Sequence, residues 1–92
     1  MRYEWDPQKD VLNQRKHGLR LKDGIPALED PVELSWIDDR FDYHEIRFIT
    51  LGLGSDGVLY VVSTEPDDNL VHIISVRRAK HEEIQWYEFG RA

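Results

Sequence analysis

A stretch rich in β-branched and aliphatic residues runs from Asn69 to Ala79. Such residues favour a pleated, half-buried strand. Both the odd and the even positions are apolar, a pattern typical of an inner strand that is covered on both faces. The stretch ends in Arg77 and Arg78, whose side chains must point to opposite faces because strand side chains alternate. The sequence therefore predicts an inner strand that carries one guanidinium to each side of a sheet.

The segments before this strand alternate between apolar runs and turn residues. A short strand is predicted near the start, and three longer ones follow, over Met1–Trp5, Val32–Ile37, Glu45–Leu53 and Val58–Thr64. Turn sequences at 55–57 and 66–69 join the last of these to their neighbours. Strands separated by such short turns form an antiparallel meander.

Three helices are expected around this meander. Asp6-Pro7 is a typical helix start, with an N-cap aspartate and a proline at the first helical position. This helix should end near His17, before Gly18, with an apolar stripe formed by Val11 and Leu12. A second helix over 19–29 should be short or kinked because Pro26 removes a hydrogen bond there. A third should close the chain over 79–89. The predicted fold class is α+β, a single domain spanning 1–92 with two N-terminal helices and one C-terminal helix.

The charge and composition narrow the possible functions. The 92 residues include 12 Lys and Arg against 18 Asp and Glu, a formal net charge of −6, and no cysteine. That sign does not suit binding of nucleic acid by bulk electrostatics, and it suits docking on a basic partner. No apolar run is long enough for a signal peptide or a membrane helix. The composition therefore predicts a soluble cytoplasmic protein without disulfides.

Several short motifs occur in a fixed order along nearly the whole chain. They are Tyr3-Glu4-Trp5-Asp6-Pro7, Lys9, Asn13, Lys16-His17-Gly18, Asp30-Pro31, Glu45, Arg47, Gly52, Ile73 to Ala79, Glu82 or Glu83, and Tyr87. In this order and spacing the chain resembles the BrnT-type toxins of bacterial toxin–antitoxin pairs. The resemblance implies a RelE-like ribonuclease fold and a message-cleaving toxin without metal or cofactor. It also implies an RNA substrate and a DNA-binding, BrnA-like antitoxin that forms a hetero-oligomer with the toxin.

The sequence departs from the family pattern at three places, one of which is the second helix, where Arg20, Gly24 and Pro26 replace better helix formers. His72 stands where the family usually has arginine, and Glu65-Pro66-Asp67 replaces a segment that often carries arginine and glycine. These departures, with the acidic balance, keep a second hypothesis open. In it, the chain has the same fold but acts as a binding module that no longer cuts RNA.

Cleavage of RNA without metal needs a base for the 2′-hydroxyl, a cation for the phosphorane and an acid for the leaving oxygen. The candidate catalytic residues are Arg47, Arg77, Lys16 and His17. Both arginines lie on predicted strands and can match phosphate oxygens bidentately. His17 ends the first helix, where the helix dipole is expected to raise its pKa. The alternative for Arg47 is an ion pair with a local carboxylate, for Arg77 a cap at the end of the sheet, and for Lys16-His17 an ordinary basic helix end.

Further residues are candidate RNA contacts. They are His72, Arg78 and Tyr87, although a histidine on an apolar strand and a tyrosine on a helix stripe are more often structural. Trp36, Phe41 and Tyr43 are aromatic residues that can stack bases, but partner contact or local packing is the simpler interpretation. The pairs Glu82-Glu83 and Asp38-Asp39 are expected to face solvent. The four histidines lack metal-ligand spacing, so no metal site is predicted.

Overall fold

A computed structural model of the protein describes residues 1–40, 42 and 44–91. The strands are β1 Arg2–Glu4, β2 Leu34–Ile37, β3 Arg47–Gly54, β4 Gly57–Asp67 and β5 Leu70–Arg78. The helices are α1 Pro7–His17, α2 Ile25–Leu28 and α3 His81–Phe89, with a 3-10 turn at Leu21–Gly24. In the described part of the chain, no helix is long and apolar enough to cross a membrane.

The strands form one sheet in the order β1-β5-β4-β3-β2. Strands β2 to β5 are antiparallel neighbours, which confirms the predicted meander and the inner position of β5. The prediction of a purely antiparallel sheet is wrong, because β1 pairs with β5 in parallel. Parallel strands need a long connection rather than a tight turn, and the whole chain between β1 and β5 provides it.

The N-terminal helical region differs from the prediction in one respect. Helix α1 begins and ends as expected: the Gln8 backbone N–H donates to the Asp6 carboxylate at 2.9 Å, and Gly18 adopts a left-handed φ of 72°. The second predicted helix is instead the 3-10 turn followed by the single turn of α2. Pro26 lies in the first turn of α2, where its missing N–H is tolerated. Farther inside a helix it would remove a hydrogen bond and clash with the preceding turn, so α2 does not extend back through the 3-10 turn.

Helix α1 turns a polar side towards the protein. The predicted apolar stripe is wrong, since Val11 and Leu12 are 50% and 60% exposed. The buried residues of α1 are Asp10 and Asn13. Strand β1 pairs only with the beginning of β5, so Val76 has no strand of the described chain on that side. The Asn13 side chain bonds there instead: it donates to the Val76 carbonyl at 2.9 Å and accepts from the Val76 N–H at 3.0 Å. A buried amide with these partners satisfies backbone groups that have no neighbouring strand.

The two sides of the sheet bury separate apolar clusters. The back-face cluster combines Leu21 of the 3-10 turn and Ala27 of α2 with the strand residues Leu59, Val61, Val71, Ile73 and Val76. The front face, partly covered by α3, carries Ile49, Leu51, Tyr60 and Val62. On the back face α2 lies so close to β3 that a Cβ at Gly52 would stand 2.1 Å from the Ala27 carbonyl oxygen. Glycine is therefore required at Gly52 for this packing.

A β-bulge in β5 decides which residues reach each face. Val62 pairs with Ser75 and the next residue, Ser63, pairs with Ile73, so Ile74 is an extra residue in the ladder. Ile73 and Val76 consequently share the back-face cluster, although strict alternation would separate them. The same shift places Arg77 opposite Tyr60, on the front face.

Candidate functional site

Arg77 lies at the end of β5 with both of its terminal nitrogens engaged. Nη1 and Nη2 each donate to a different oxygen of the Glu83 carboxylate at 2.8 Å. The guanidinium carbon also stands 3.7 Å from the centroid of the Tyr60 ring. The hydrogen bonds to Glu83 raise the pKa of Arg77 above its ordinary value, so the guanidinium stays charged. The site therefore contains a permanent cation with a fixed orientation.

Glu83 also fastens the start of α3. Its carboxylate accepts the Lys80 backbone N–H at 2.7 Å, as expected of a glutamate at the third helical position. Burial raises the pKa of Glu83, but the hydrogen bonds from Arg77 and Lys80 outweigh it and lower that pKa overall.

The prediction that Glu82-Glu83 and Asp38-Asp39 face solvent is wrong for one member of each pair. Glu83 is 7% exposed and Asp38 is 5% exposed, since each binds an arginine.

A cavity of about 200 Å³ opens on the front face beside Arg77. Its polar and aromatic lining includes Trp36, Tyr60, Arg77, Lys80, Trp86 and Arg91. Arg40 adds a further cation, and Glu83 is the one carboxylate among the described lining residues. Asp38 binds Arg40 through two hydrogen bonds and Glu83 binds Arg77, so four cations against two carboxylates give this cavity a local charge of about +2, opposite in sign to the whole chain.

Lys16 and His17 lie in a shallow groove next to Arg77. The groove also contains Lys9 and is floored by Ile74 and Ser75 of β5, on the front face. Burial, together with the positive charges of Lys16 and Arg77, lowers the pKa of His17 from its ordinary value of 6.5. The expectation that the helix dipole would raise this pKa is therefore wrong: desolvation and nearby cations dominate. The lowered pKa favours the neutral imidazole of His17, and the Arg77 charge is close enough to contribute to this shift.

Arg47 belongs to the other end of the same face. It pairs across the sheet with Thr64, whereas Arg77 pairs with Tyr60, four residues away on β4. That separation is about 13 Å along the strand at ~3.3 Å per residue. Arg47 Nε lies 3.4 Å from a Glu45 carboxylate oxygen. The structure thus brings Lys16, His17 and Arg77 together but sets Arg47 apart.

The remaining predicted contacts fall at three different places. His72 is aligned with Thr64 and lies 3.0 Å from a Glu4 carboxylate oxygen, at the Arg47 end. Arg78 lies on the back face, opposite Leu59, as the predicted alternation requires. Tyr87 donates its hydroxyl hydrogen to Asp30, a contact that ties α3 to the loop before β2. This hydrogen bond raises the pKa of Tyr87 and lowers that of Asp30.

Several residues around Arg77 were not found from the sequence. They are Arg40, Tyr60, Lys80, Glu83 and Arg91. Only Glu83 carried a recognisable signal, its place at the third position of a helix that starts directly after β5. Two of the aromatic residues considered for base stacking, Phe41 and Tyr43, lie outside the described residues. Within the described ranges, no group of three or more His, Asp or Glu side chains is arranged to hold a metal ion.

Fold and site together define a small α+β protein with a cationic, aromatic-lined cavity on one face of a mixed sheet. The chain belongs to the BrnT ribonuclease toxin family. The family model described as "Ribonuclease toxin, BrnT, of type II toxin-antitoxin system" matches residues 5–83, which include Lys16, His17 and Arg77.

A solved structure supports the same fold. The crystal structure of the ribonuclease toxin BrnT from Brucella abortus aligns with a TM-score of 0.63 and 21% identity, over 88% of this chain and 99% of that chain. At this identity the likeness concerns the fold. A search of curated protein sequences gave no significant match.

Proposed function

We propose that this protein is a metal-independent endoribonuclease toxin that cleaves RNA, inhibits translation and arrests growth. The observation that carries the proposal is the cluster around Arg77 in a chain of the BrnT family. Arg77, Lys80, Arg40 and Arg91 line one cavity, and Lys16 and His17 lie in the adjoining groove. Such a band of cations with aromatic rings is how proteins hold single-stranded nucleic acid.

The local charge explains how an acidic protein can bind RNA. The net charge of −6 opposes association with a polyanion at long range. In the cavity beside Arg77 the balance is reversed, because four cations stand against two carboxylates, Glu83 on Arg77 and Asp38 on Arg40. Binding through so local a patch should be weak and sensitive to salt. It also suits a toxin that acts on an RNA delivered in a defined conformation.

The arrangement supports a mechanism in which the 2′-hydroxyl is the nucleophile. Neutral His17 accepts the proton of the 2′-hydroxyl while that oxygen attacks the adjacent phosphorus. Arg77 stabilises the charge that develops on the phosphoryl oxygens, held in position by Glu83 and Tyr60. The bond to the 5′-oxygen breaks, and Lys16 supplies the proton that this leaving group takes. The products are a 2′,3′-cyclic phosphate and a free 5′-hydroxyl.

A DNA-binding antitoxin is the proposed partner, by membership of a type II toxin–antitoxin family. The outer edge of β2 offers unpaired backbone groups for strand addition. Exposed apolar side chains near that edge, Val32 and Ile37, are 69% and 54% exposed and provide contact area. Co-expression with the neighbouring small reading frame should give a stoichiometric complex in the cytoplasm, without toxicity.

The proposal is tested by inducing the chain alone and then assaying the purified protein. We expect growth arrest, and cleavage of RNA that persists in a metal chelator. The products should carry a 2′,3′-cyclic phosphate, identified by mass and by resistance of their 3′ ends to a phosphatase that removes linear monoesters. Cleavage that disappears with chelator, or products with a 5′-phosphate, would contradict the mechanism.

One observation favours the second candidate function, a partner-binding module without cleavage. Glu83 occupies both terminal nitrogens of Arg77, so an incoming phosphate must share or replace this carboxylate. A protein of this second kind should leave growth and RNA intact and still form the complex with its antitoxin.

A further inference from the structure

Trp36 on β2 is half-buried against the front-face cluster, and one face of its ring is covered by a cation. The Arg91 guanidinium carbon stands 4.6 Å from the Trp36 ring centroid and 5.7 Å from that of Trp86. The two indoles meet edge to face, with centroids 6.0 Å apart and planes at 81°. One face of Trp36 is therefore accessible from the cavity that also contains Arg77.

The Arg91 guanidinium lies where a flat, π-rich ligand could stack on the Trp36 ring. A guanidinium stacks on indole because it is planar and weakly hydrated, the same properties that allow a nucleobase to stack there. Arg91 follows Gly90, directly after the end of α3, and both residues are exposed. Its contact with Trp36 is a surface contact that a ligand can replace at small cost.

We infer that the face of Trp36 covered by Arg91 is a stacking subsite for one unpaired nucleobase of the RNA whose phosphate is bound by Arg77. This inference rests on the proposed function and names the substrate feature that the site selects, an unstacked base next to the bound phosphate. Trp86 packs edge-on against Trp36 and fixes the orientation of its ring. On binding, Arg91 leaves the indole face and is free to meet the phosphodiester backbone.

The first test uses a ligand that this mechanism does not cleave. A DNA hexamer has no 2′-hydroxyl, so its binding is measured independently of catalysis. In a Trp5→Phe variant, which keeps Trp86 against Trp36, the emission should be quenched as the hexamer saturates the site, and adding Trp36→Phe should remove most of this quenching. An abasic hexamer with the same number of phosphates serves as the control and should leave the emission unchanged.

The second test changes the ring itself. Trp36→Leu should weaken binding of the DNA hexamer roughly 5- to 140-fold, the range that corresponds to losing one stacked base. Trp36→Phe keeps an aromatic face and should stay near the parent affinity. Phe89→Leu is a matched control, since Phe89 is an exposed aromatic residue on α3 away from this cavity. Thermal unfolding of each variant shows whether it is folded.

The outcomes separate this inference from the proposed function. Unquenched Trp36 emission, or equal affinity for the abasic and the normal hexamer, would overturn the subsite even if RNA is cleaved. Quenching by the DNA hexamer without any cleavage of RNA would support the subsite and contradict the proposed ribonuclease activity. If an antitoxin peptide quenches the emission and the DNA hexamer does not, the cavity binds the partner and the inference is overturned.

Discussion

The front face of the sheet has two ends with similar residue types and opposite surroundings. At one end Arg77 is surrounded by further cations and by aromatic rings, with Glu83 as its single described carboxylate in the cavity. At the other end Arg47 lies beside Glu45, and His72 lies beside Glu4. An arginine on a strand thus lies among further cations and aromatic rings at one end of the face and beside a carboxylate at the other. The difference shows that composition along the strands does not locate the site, whereas cross-strand neighbours do.

The strongest test of this comparison is substitution of Arg77. Arg77→Ala should reduce RNA cleavage roughly 10²- to 10³-fold, by analogy with loss of one charge-stabilising donor in a transition state. Arg77→Lys should restore little, because a point charge cannot form the paired hydrogen bonds. Cleavage rates of the purified variants measure the effect.

Arg78→Ala is the matched control, since Arg78 is the adjacent arginine on the back face. A greater loss with Arg78→Ala than with Arg77→Ala would reverse the assignment of the front face. Both variants are compared by thermal unfolding, because Arg77→Ala leaves the mostly buried Glu83 without its ion pair.

A second test uses the pH dependence at the Arg77 end. If His17 is the base, the cleavage rate should rise with pH and then reach a plateau. The midpoint of this rise is the pKa of His17, which should lie below 6.5, the ordinary value for histidine. His17→Asn should lower the rate roughly 10²-fold and remove this acid limb. Lys16→Gln removes the proposed acid, so the rate should fall, and it also removes a positive neighbour of His17, so the limb of the remaining activity should move to higher pH.

The pH profile of kcat/KM for the three proteins checks this prediction. An unchanged acid limb in the His17→Asn variant would assign the titration to another group. A limb that moves to lower pH in Lys16→Gln would contradict the electrostatic cause given for the shift.

The smallest effects are expected at the other end. Arg47→Ala and His72→Ala should each change cleavage less than about fivefold, since both residues are aligned with Thr64, four residues along β4 from the Tyr60 that pairs with Arg77. A loss comparable to that of Arg77→Ala would show that the RNA spans the whole face. Cleavage rates of these variants are measured at two salt concentrations. If the residue binds a phosphate, its loss should reduce the salt dependence of cleavage, whereas loss of a structural residue should leave that dependence unchanged.

Much of the fold could be predicted because its signals are local. The Asp6-Pro7 start and the Gly18 end of α1 rest on capping chemistry within a few residues. The meander followed from short turns between apolar runs. The parallel pairing of β1 with β5 could not be predicted, because those strands are about 70 residues apart and no local pattern specifies their direction. The burial of Asp10 and Asn13 was likewise hidden, since their partners Leu21 and Val76 come from other elements.

The sequence by itself determined that Arg77 and Arg78 point to opposite faces, because side chains alternate along any strand. Only the tertiary structure decided which of them meets Tyr60. The extra residue Ile74 shifts the alternation by one, and its place depends on how β5 pairs with β4. The pairing also brings Glu83, Lys80 and Trp36 around the guanidinium from a helix and a distant strand. Charge and stacking at the site arise from such neighbours, which become adjacent only when the chain has folded.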